Sequence, residues 1–194
     1  MPAELLQLKA EAALRGGCRL IQYRDKSANA AKRLVEARQL LSLCKRYNAL
    51  FIINDDIDLA LNIAADGVHL GQGDASISLA RQRLGNDAII GITCHDNLML
   101  AQEAESAGAD YVAFGRFFNS NTKPDAKAAP LALIQTARLQ ISVPIVVIGG
   151  IYRDNAQQLI ANGCDSIAIS HGLFAVDDIA TEAEYLLSLF SAHN

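Results

Sequence analysis

Short runs rich in β-branched residues recur along this chain, and between them apolar positions return every three to four residues. The first spacing is that of buried strands, the second that of helices with one apolar face. The runs predict strands at Arg19–Tyr23, Leu50–Asn54, Gly67–Leu70, Ala88–Thr93, Tyr111–Gly115, Ile145–Ile148 and Ser166–Ile169. Helical spacing falls at Met1–Arg15, at about Ala28–Tyr47, Asp56–Ile63, Ile77–Leu84, Leu98–Ala107, Leu131–Leu139 and Asp154–Asn162, and last at Asp177–Phe190. Gly17, Asp66, Gly108 and Gly163 stand just ahead of strands, where a helix must stop and the chain reverse. Such alternation builds βαβ units, a parallel sheet and a coat of helices. No exact residue repeat accompanies it.

A closed barrel of eight such units begins with a strand. Here the alternation begins with the helix at Met1–Arg15, so the expected architecture is a TIM (β/α)8-type barrel lacking its first strand, in one domain over residues 1–194. Three outcomes stand open at the gap: the barrel stays open, a partner fills it, or an upstream segment has been lost. An unpaired parallel edge leaves backbone donors and acceptors unmet and favours association, so a homo-oligomer covering the open edge is among the expected partners. The competing architecture is an open doubly wound sheet with its ligand at a topological switch point. Polar residues follow every one of the runs instead of gathering at one crevice, which favours the barrel.

Composition narrows the function. Of the 194 residues, 51% are apolar, enough for one substantial core. The net charge is −4, without the basic surplus that holds a nucleic-acid backbone or an anionic membrane, so small-molecule partners are expected. No apolar run approaches the roughly 20 residues that span a bilayer. Glu4, Lys9 and Glu11 interrupt the first helix in a way that no secretory leader shows. Cys18, Cys44, Cys94 and Cys164 are scattered without a Cys-x-x-Cys pair, as in proteins kept reduced, and a cytoplasmic location is expected.

In a barrel of this kind the chemistry sits on the loops that follow the strands. After the first run, Gln22, Arg24 and Lys26 alternate with Tyr23 and Asp25, so an amide and two cations share one side of the chain. A surface charge cluster paired to the next helix would read the same way. Asn54-Asp55 ends the second run, and Gly71-Gln72-Gly73-Asp74 carries the third into its loop. Neighbouring strands lie about 4.8 Å apart, so Asp55 and Asp74 can bracket one small cation. Mg²⁺ takes few protein carboxylates and leaves its other positions to water and phosphate oxygens. Capping of the helix behind it is the alternative role for either aspartate. His69 has no second histidine or cysteine at ligand spacing, which favours a hydrogen-bonding role over zinc. Thr93 and His95 bring a hydroxyl and an imidazole to the end of the fourth run, while Cys94 between them lacks the base or cation that an activated thiolate needs.

The longest irregular segment, 116–130, holds Ser120, Thr122 and Lys123. Two hydroxyls and an ammonium suit a pyrophosphate; a polar lid without ligand is the alternative. Gly149-Gly150 and Ile169-Ser170 follow the last two runs, where backbone N–H groups often hold a phosphate, although tight turns need glycine anyway. The residues by themselves point to one Mg²⁺, one polyphosphate and one further phosphate.

Taken in order, Gln22-Tyr23-Arg24-Asp25-Lys26, Asn54-Asp55, the run from Gly67 to Asp74, Gly91-Ile92-Thr93, Ser120-Asn121-Thr122-Lys123, Gly149-Gly150-Ile151 and Ile169-Ser170 resemble the thiamine phosphate synthase (thiamine phosphate pyrophosphorylase) family. The likeness spans nearly the whole chain. It implies a Mg²⁺-dependent transferase of thiamine biosynthesis. Such enzymes join 4-amino-5-hydroxymethyl-2-methylpyrimidine diphosphate to 4-methyl-5-(2-hydroxyethyl)thiazole phosphate and release pyrophosphate. The resemblance implies that Asp55 and Asp74 hold the metal. Arg24, Lys26, Asn54 and Lys123 would neutralise the diphosphate with help from Thr93, Thr122 and Ser120, with Arg24, Lys26 and Lys123 as the catalytic cations. Gln22 would contact the pyrimidine, and His69 would line the same pocket. Gly149, Gly150, Ile169 and Ser170 would hold the thiazole phosphate. The implied chemistry is dissociative: pyrophosphate leaves first, and the thiazole nitrogen captures the pyrimidinylmethyl cation.

Two features depart from the family pattern. Ser120 stands where threonine is usual and keeps the hydroxyl. The absent first strand points to a shortened start. Two other functions compete: a thiazole tautomerase-like sister enzyme, and a degenerate, non-catalytic barrel that binds thiamine precursors. Retention of Arg24, Asp55, Asp74 and Lys123 counts against the first, which has no diphosphate leaving group to neutralise.

Overall fold

The computed structural model describes residues 2–119 and 128–191. The elements are α1 (Ala3–Arg15), β1 (Leu20–Tyr23), α2 (Ala30–Arg46), β2 (Leu50–Asn54), α3 (Ile57–Ile63), β3 (Gly67–Leu70), α4 (Ile77–Leu84) and β4 (Ile89–His95). They continue with α5 (Leu98–Ser106), β5 (Tyr111–Phe114), α6 (Ala132–Arg138), β6 (Ile145–Ile148), α7 (Arg153–Ala161), β7 (Ser166–Ala168), α8 (His171–Phe174) and α9 (Ile179–Ser191). Every strand lies within two residues of its predicted ends. The pattern missed α8, whose four residues are too few to display a helical period.

All pairings are parallel, and the order β1-β2-β3-β4-β5-β6-β7 follows the chain. Sequential order leaves no switch point, which excludes the doubly wound alternative. The sheet is a curled, incomplete (β/α)8 barrel whose first and last strands each keep an unpaired edge among the described residues. The helical coat is more continuous than the sheet, because α1 packs against both α2 and α9.

Period-two alternation sorts each strand into an outer and an inner set. Ile21, Tyr23, Phe51, Ile53, Val68, Leu70, Ile90, Ile92, Val112, Phe114, Ile145 and Val147 face outward and form one core with the helices. The inner set carries Gln22, Ile52, Asn54, His69, Gly91, Thr93, Tyr111 and Ala113. Ile52, Tyr111 and Ala113 are buried there, outside the helix-facing core. Leu20, Leu50 and Ile148, inner residues near the opening, stay 38%, 40% and 42% exposed.

At the rim opposite the strand tips one device recurs. Ala64-Ala65-Asp66, Gly108-Ala109-Asp110 and Gly163-Cys164-Asp165 each begin with a left-handed residue, at φ 54°, 92° and 96°. Each ends with an aspartate whose Oδ2 accepts the N–H of Phe51, Ile90 or Ile145 at 2.7 Å. The backbone N–H of the same aspartate donates to the carbonyl of the same residue. A clasp therefore pins the start of β2 to β3, of β4 to β5 and of β6 to β7, a two-strand repeat that exact residue matching hides.

Candidate active site

Lys26, Asp55 and Asp74 come from the loops beyond β1, β2 and β3, which are adjacent in the sheet. The Lys26 ammonium donates to Oδ2 of Asp55, and the Asp74 side chain lies beside the same carboxyl. Partial burial opposes charge on Asp55. The Lys26 hydrogen bond, the Asp74 contact and the positive fields of Lys26 and Arg24 outweigh it and hold that carboxyl below its usual range. Asp55 takes a left-handed backbone, φ 64°, which costs a non-glycine residue energy and marks a position held by its surroundings.

Helix capping does not account for these two acids. Asp56 caps α3 by accepting from Leu59 N–H at 2.9 Å, and Ser76 caps α4 by accepting from Leu79 N–H at 3.2 Å. Asp74 also ties its own loop, its Oδ2 accepting the Gly71 N–H at 2.7 Å. Among the described residues no group of three or more His, Cys, Asp or Glu converges on one point. Two carboxylates are too few for a structural zinc or calcium cage, but they suit Mg²⁺, which keeps most of its positions for water and substrate oxygens.

The alternation after β1 resolves the charge cluster. Tyr23 donates to Glu36 of α2 at 2.7 Å, and Asp25 pairs with Lys32 of the same helix at 2.6 Å. Gln22, Arg24 and Lys26 are exposed on the other side. Lys26 crosses to β2 instead of pairing with α2. A groove of about 430 Å³ runs beside it, lined in part by Lys26, Asn54, Asp55, Arg33 and Arg83.

Below the mouth lies a polar row on the inner face. The Nδ1 of His69 stands 2.9 Å from the Tyr111 hydroxyl and its Nε2 2.8 Å from Thr93 Oγ1. Both ring nitrogens thus have protein partners, so His69 lines the lumen without a free nitrogen for a ligand. Burial depresses its pKa to about 4, with the Asp55 charge pulling weakly the other way. Gln22 lies beside Tyr111, and Gln72 donates to the Thr93 carbonyl at 2.7 Å. Tyr111 and Gln72 escaped the sequence reading. The available signal was Gly91: it pairs with Tyr111 across β4 and β5, and a Cβ on it would lie 1.9 Å from the Tyr111 ring. Cys94 is buried packing, with its thiol pushed up to about 12 by burial.

The glycine turn lies after β6, toward the other end of the sheet. Gly149 and Gly150 have φ 102° and 67°. A Cβ on Gly150 would lie 2.4 Å from the Asn119 carbonyl oxygen, and one on Gly149 would lie 2.3 Å from Arg116 Cβ. These glycines let the loop after β5 press against the turn. Gly172 does the same for the next loop, since a Cβ there would lie 2.1 Å from the Ile151 oxygen. Ser170 is exposed at the start of α8 and makes no side-chain cap bond, while Ile169 packs its side chain toward the helices. Ser120, Thr122 and Lys123 lie outside the described residues.

Residues 3–173 match the family model described as thiamine monophosphate synthase. The chain is 54% identical over 187 residues to a thiamine-phosphate synthase of Thioalkalivibrio sulfidiphilus, covering 96% of this chain and 89% of that one. It is 51% identical over 195 residues to a thiamine-phosphate synthase of Alcanivorax borkumensis, covering 99% and 90%. Among solved structures, a thiamine phosphate pyrophosphorylase from Pyrococcus furiosus superposes with a TM-score of 0.88 at 33% identity, over 96% of this chain and 89% of that one. A 3-hexulose-6-phosphate synthase superposes with a TM-score of 0.71 at 17% identity, a likeness of fold alone.

Proposed function

This chain belongs to the thiamine monophosphate synthase family, and from that premise we propose that it condenses the pyrimidine diphosphate with the thiazole phosphate to give thiamine phosphate and pyrophosphate. The observation that carries the reading is the meeting of Lys26, Asp55 and Asp74 from three adjacent strand tips, with the capping roles left to Asp56 and Ser76.

Asp55 and Asp74 are the residues that hold Mg²⁺, which when bound supplies fixed positive charge beside the leaving diphosphate. Arg24 and Lys26 add cationic side chains at the same mouth. Charge set in place before reaction needs no reorganisation as the carbon–oxygen bond breaks, and no side-chain nucleophile is required. Asn54 and the Thr93 hydroxyl donate to the same group. Lys123, Thr122 and Ser120 are assigned to it on their sequence alone. Gln22 holds the pyrimidine from the inner face, above His69. The turns at Gly149-Gly150 and Ile169-Ser170 hold the thiazole phosphate, which sets the ring nitrogen against the electrophilic carbon.

The test is to incubate the protein with both substrates and Mg²⁺ and to assay thiamine phosphate. Formation that stops when Mg²⁺ is chelated is expected; no product from folded protein would overturn the reading. Cys18, Cys44, Cys94 and Cys164 are free thiols, and among the described residues no helix is long and apolar enough to cross a membrane. The free thiols support a cytoplasmic setting.

A further inference from the structure

The corner that carries Asp55 is fastened by groups to which the proposed reaction gives no part. Asp55 N–H donates to the His69 carbonyl of β3 at 2.8 Å, and Asp56 N–H reaches back over one residue to the Asn54 carbonyl at 2.9 Å. A hydrogen bond that spans a single residue, with that residue at φ 64°, is a γ-turn of the rare, strained hand. Such a turn persists only where its surroundings hold it. Here the Asp56 carboxylate does so: Oδ1 accepts the Leu59 N–H at 2.9 Å, and Oδ2 accepts from Arg33 of α2. The Arg33 side chain is 22% exposed, its Nε is buried without a partner, and among the described residues Asp56 is its one ion-pair partner.

We propose that Arg33 is a positioning residue for the metal site: through Asp56 it locks the turn that presents the Asp55 carboxylate, and so sets the affinity for a divalent cation. The inference rests on the reading of Asp55 as a holder of Mg²⁺ given above. One oxygen of Asp56 caps α3 and the other ties the same side chain to α2, so residues 54–56 are held from β3, α3 and α2 at once. Released from α2, the turn relaxes toward a negative φ at Asp55. The Asp55 side chain then swings off the side of the corner that it shares with Lys26 and Asp74.

Charge and position act here with opposite sign. Arg33 is a cation beside a cation site, so by electrostatics alone its removal tightens metal binding. By loss of positioning its removal weakens it. Arg83 lines the same groove and pairs at 2.5 Å with Asp58, which lies on α3 beyond the turn. It supplies the control, a neighbouring cation whose partner is not part of the corner.

The experiment titrates Mn²⁺ into the metal-free protein and reads the free ion by electron paramagnetic resonance, with inorganic pyrophosphate added in a second series. Arg33→Met is expected to raise the Mn²⁺ dissociation constant about tenfold, within the range that one strained residue stores; Arg83→Met should leave it unchanged or lower it. Asp56→Asn keeps a capping oxygen for Leu59 N–H but loses the charge that Arg33 pairs with. It should weaken Mn²⁺ to a similar extent, and the loss should persist in about 0.5 M KCl, where long-range charge is screened. Should Arg33→Met fail to fold, that variant carries the test. The double variant should be no weaker than either single one, since both cut the same tie. An unchanged or tightened site in Arg33→Met, an equal loss in Arg83→Met, a loss in Asp56→Asn that salt abolishes, or additive losses would each overturn the proposal. So would a loss confined to the pyrophosphate series, which would make Arg33 a direct contact of the diphosphate. A wild type that binds no Mn²⁺ in either series would overturn the metal assignment and this proposal with it, whereas bound Mn²⁺ without formation of thiamine phosphate would count against the proposed reaction alone.

Discussion

Lys26 and Asp55 are ion-paired across the tips of β1 and β2, a cation and a carboxylate that the sequence separates by a whole helix. The pair sets up two substitutions with opposite signatures. Lys26→Met should cut kcat by about a hundredfold, the usual scale for one preorganised charge on a leaving group. It should also lower the Mg²⁺ concentration needed for half-maximal rate, because Asp55 loses a competing cation. Asp74→Ala should cut kcat and raise that concentration while leaving KM for the thiazole phosphate nearly unchanged. Rate measured against Mg²⁺ checks both; a shift of the two requirements in the same direction would separate Lys26 from the metal site.

Stability should fall on mild acidification. The pKa of His69 is about 4 in the folded chain against about 6.5 when unfolded. The unfolded state therefore binds a proton first, and the contribution is whole above pH 6.5 and lost as pH falls toward 4. Between pH 7 and pH 5 the loss is roughly 2 kcal/mol. Urea unfolding at the two pH values should show it, and His69→Gln should flatten the difference.

Asp110 accepts from Ile90 N–H and from Arg81, each at 2.7 Å. Asp110→Ala leaves a partly buried backbone donor without its partner and should cost about 1–3 kcal/mol. Chemical denaturation should report that loss with KM values for both substrates unchanged, since the clasp lies at the rim away from the mouth.

Gly150→Ala combines a strained backbone, φ 67°, with a Cβ 2.4 Å from the Asn119 oxygen. The loop after β5 must move off the turn. KM for the thiazole phosphate should rise about tenfold or more, while the affinity for the pyrimidine diphosphate changes less. Isothermal titration with each substrate distinguishes the two effects.

Much of the barrel is written locally. Runs such as Leu50-Phe51-Ile52-Ile53 and Ile145-Val146-Val147-Ile148 can hardly be anything but buried strands, and loop chemistry follows once their ends are placed. The loop positions of Asp55 and Asp74 are legible because each stands beyond a strand end. What the chain order conceals is pairing between strands. Tyr111 becomes an inner-face residue only when its register against Gly91 is known. Asp55 and Asp56 are identical in type, and only the left-handed turn at Asp55 tells which one caps α3. The aspartate clasps were hidden for the same reason, since each bonds a residue 15 or 20 positions earlier.

Those clasps divide the sheet into doublets. Each locks two strands by a side chain as well as by the ladder, whereas the seams β1/β2, β3/β4 and β5/β6 carry no such clasp among the described residues. Under partial denaturation the molecule should come apart along those seams, shedding its leading strand by itself and the rest in twos. Amide exchange would then fall into four groups of protection. The seam between β1 and β2 is also the one that Lys26 and Asp55 bridge, so a joint without a clasp runs beneath an ion pair at the mouth.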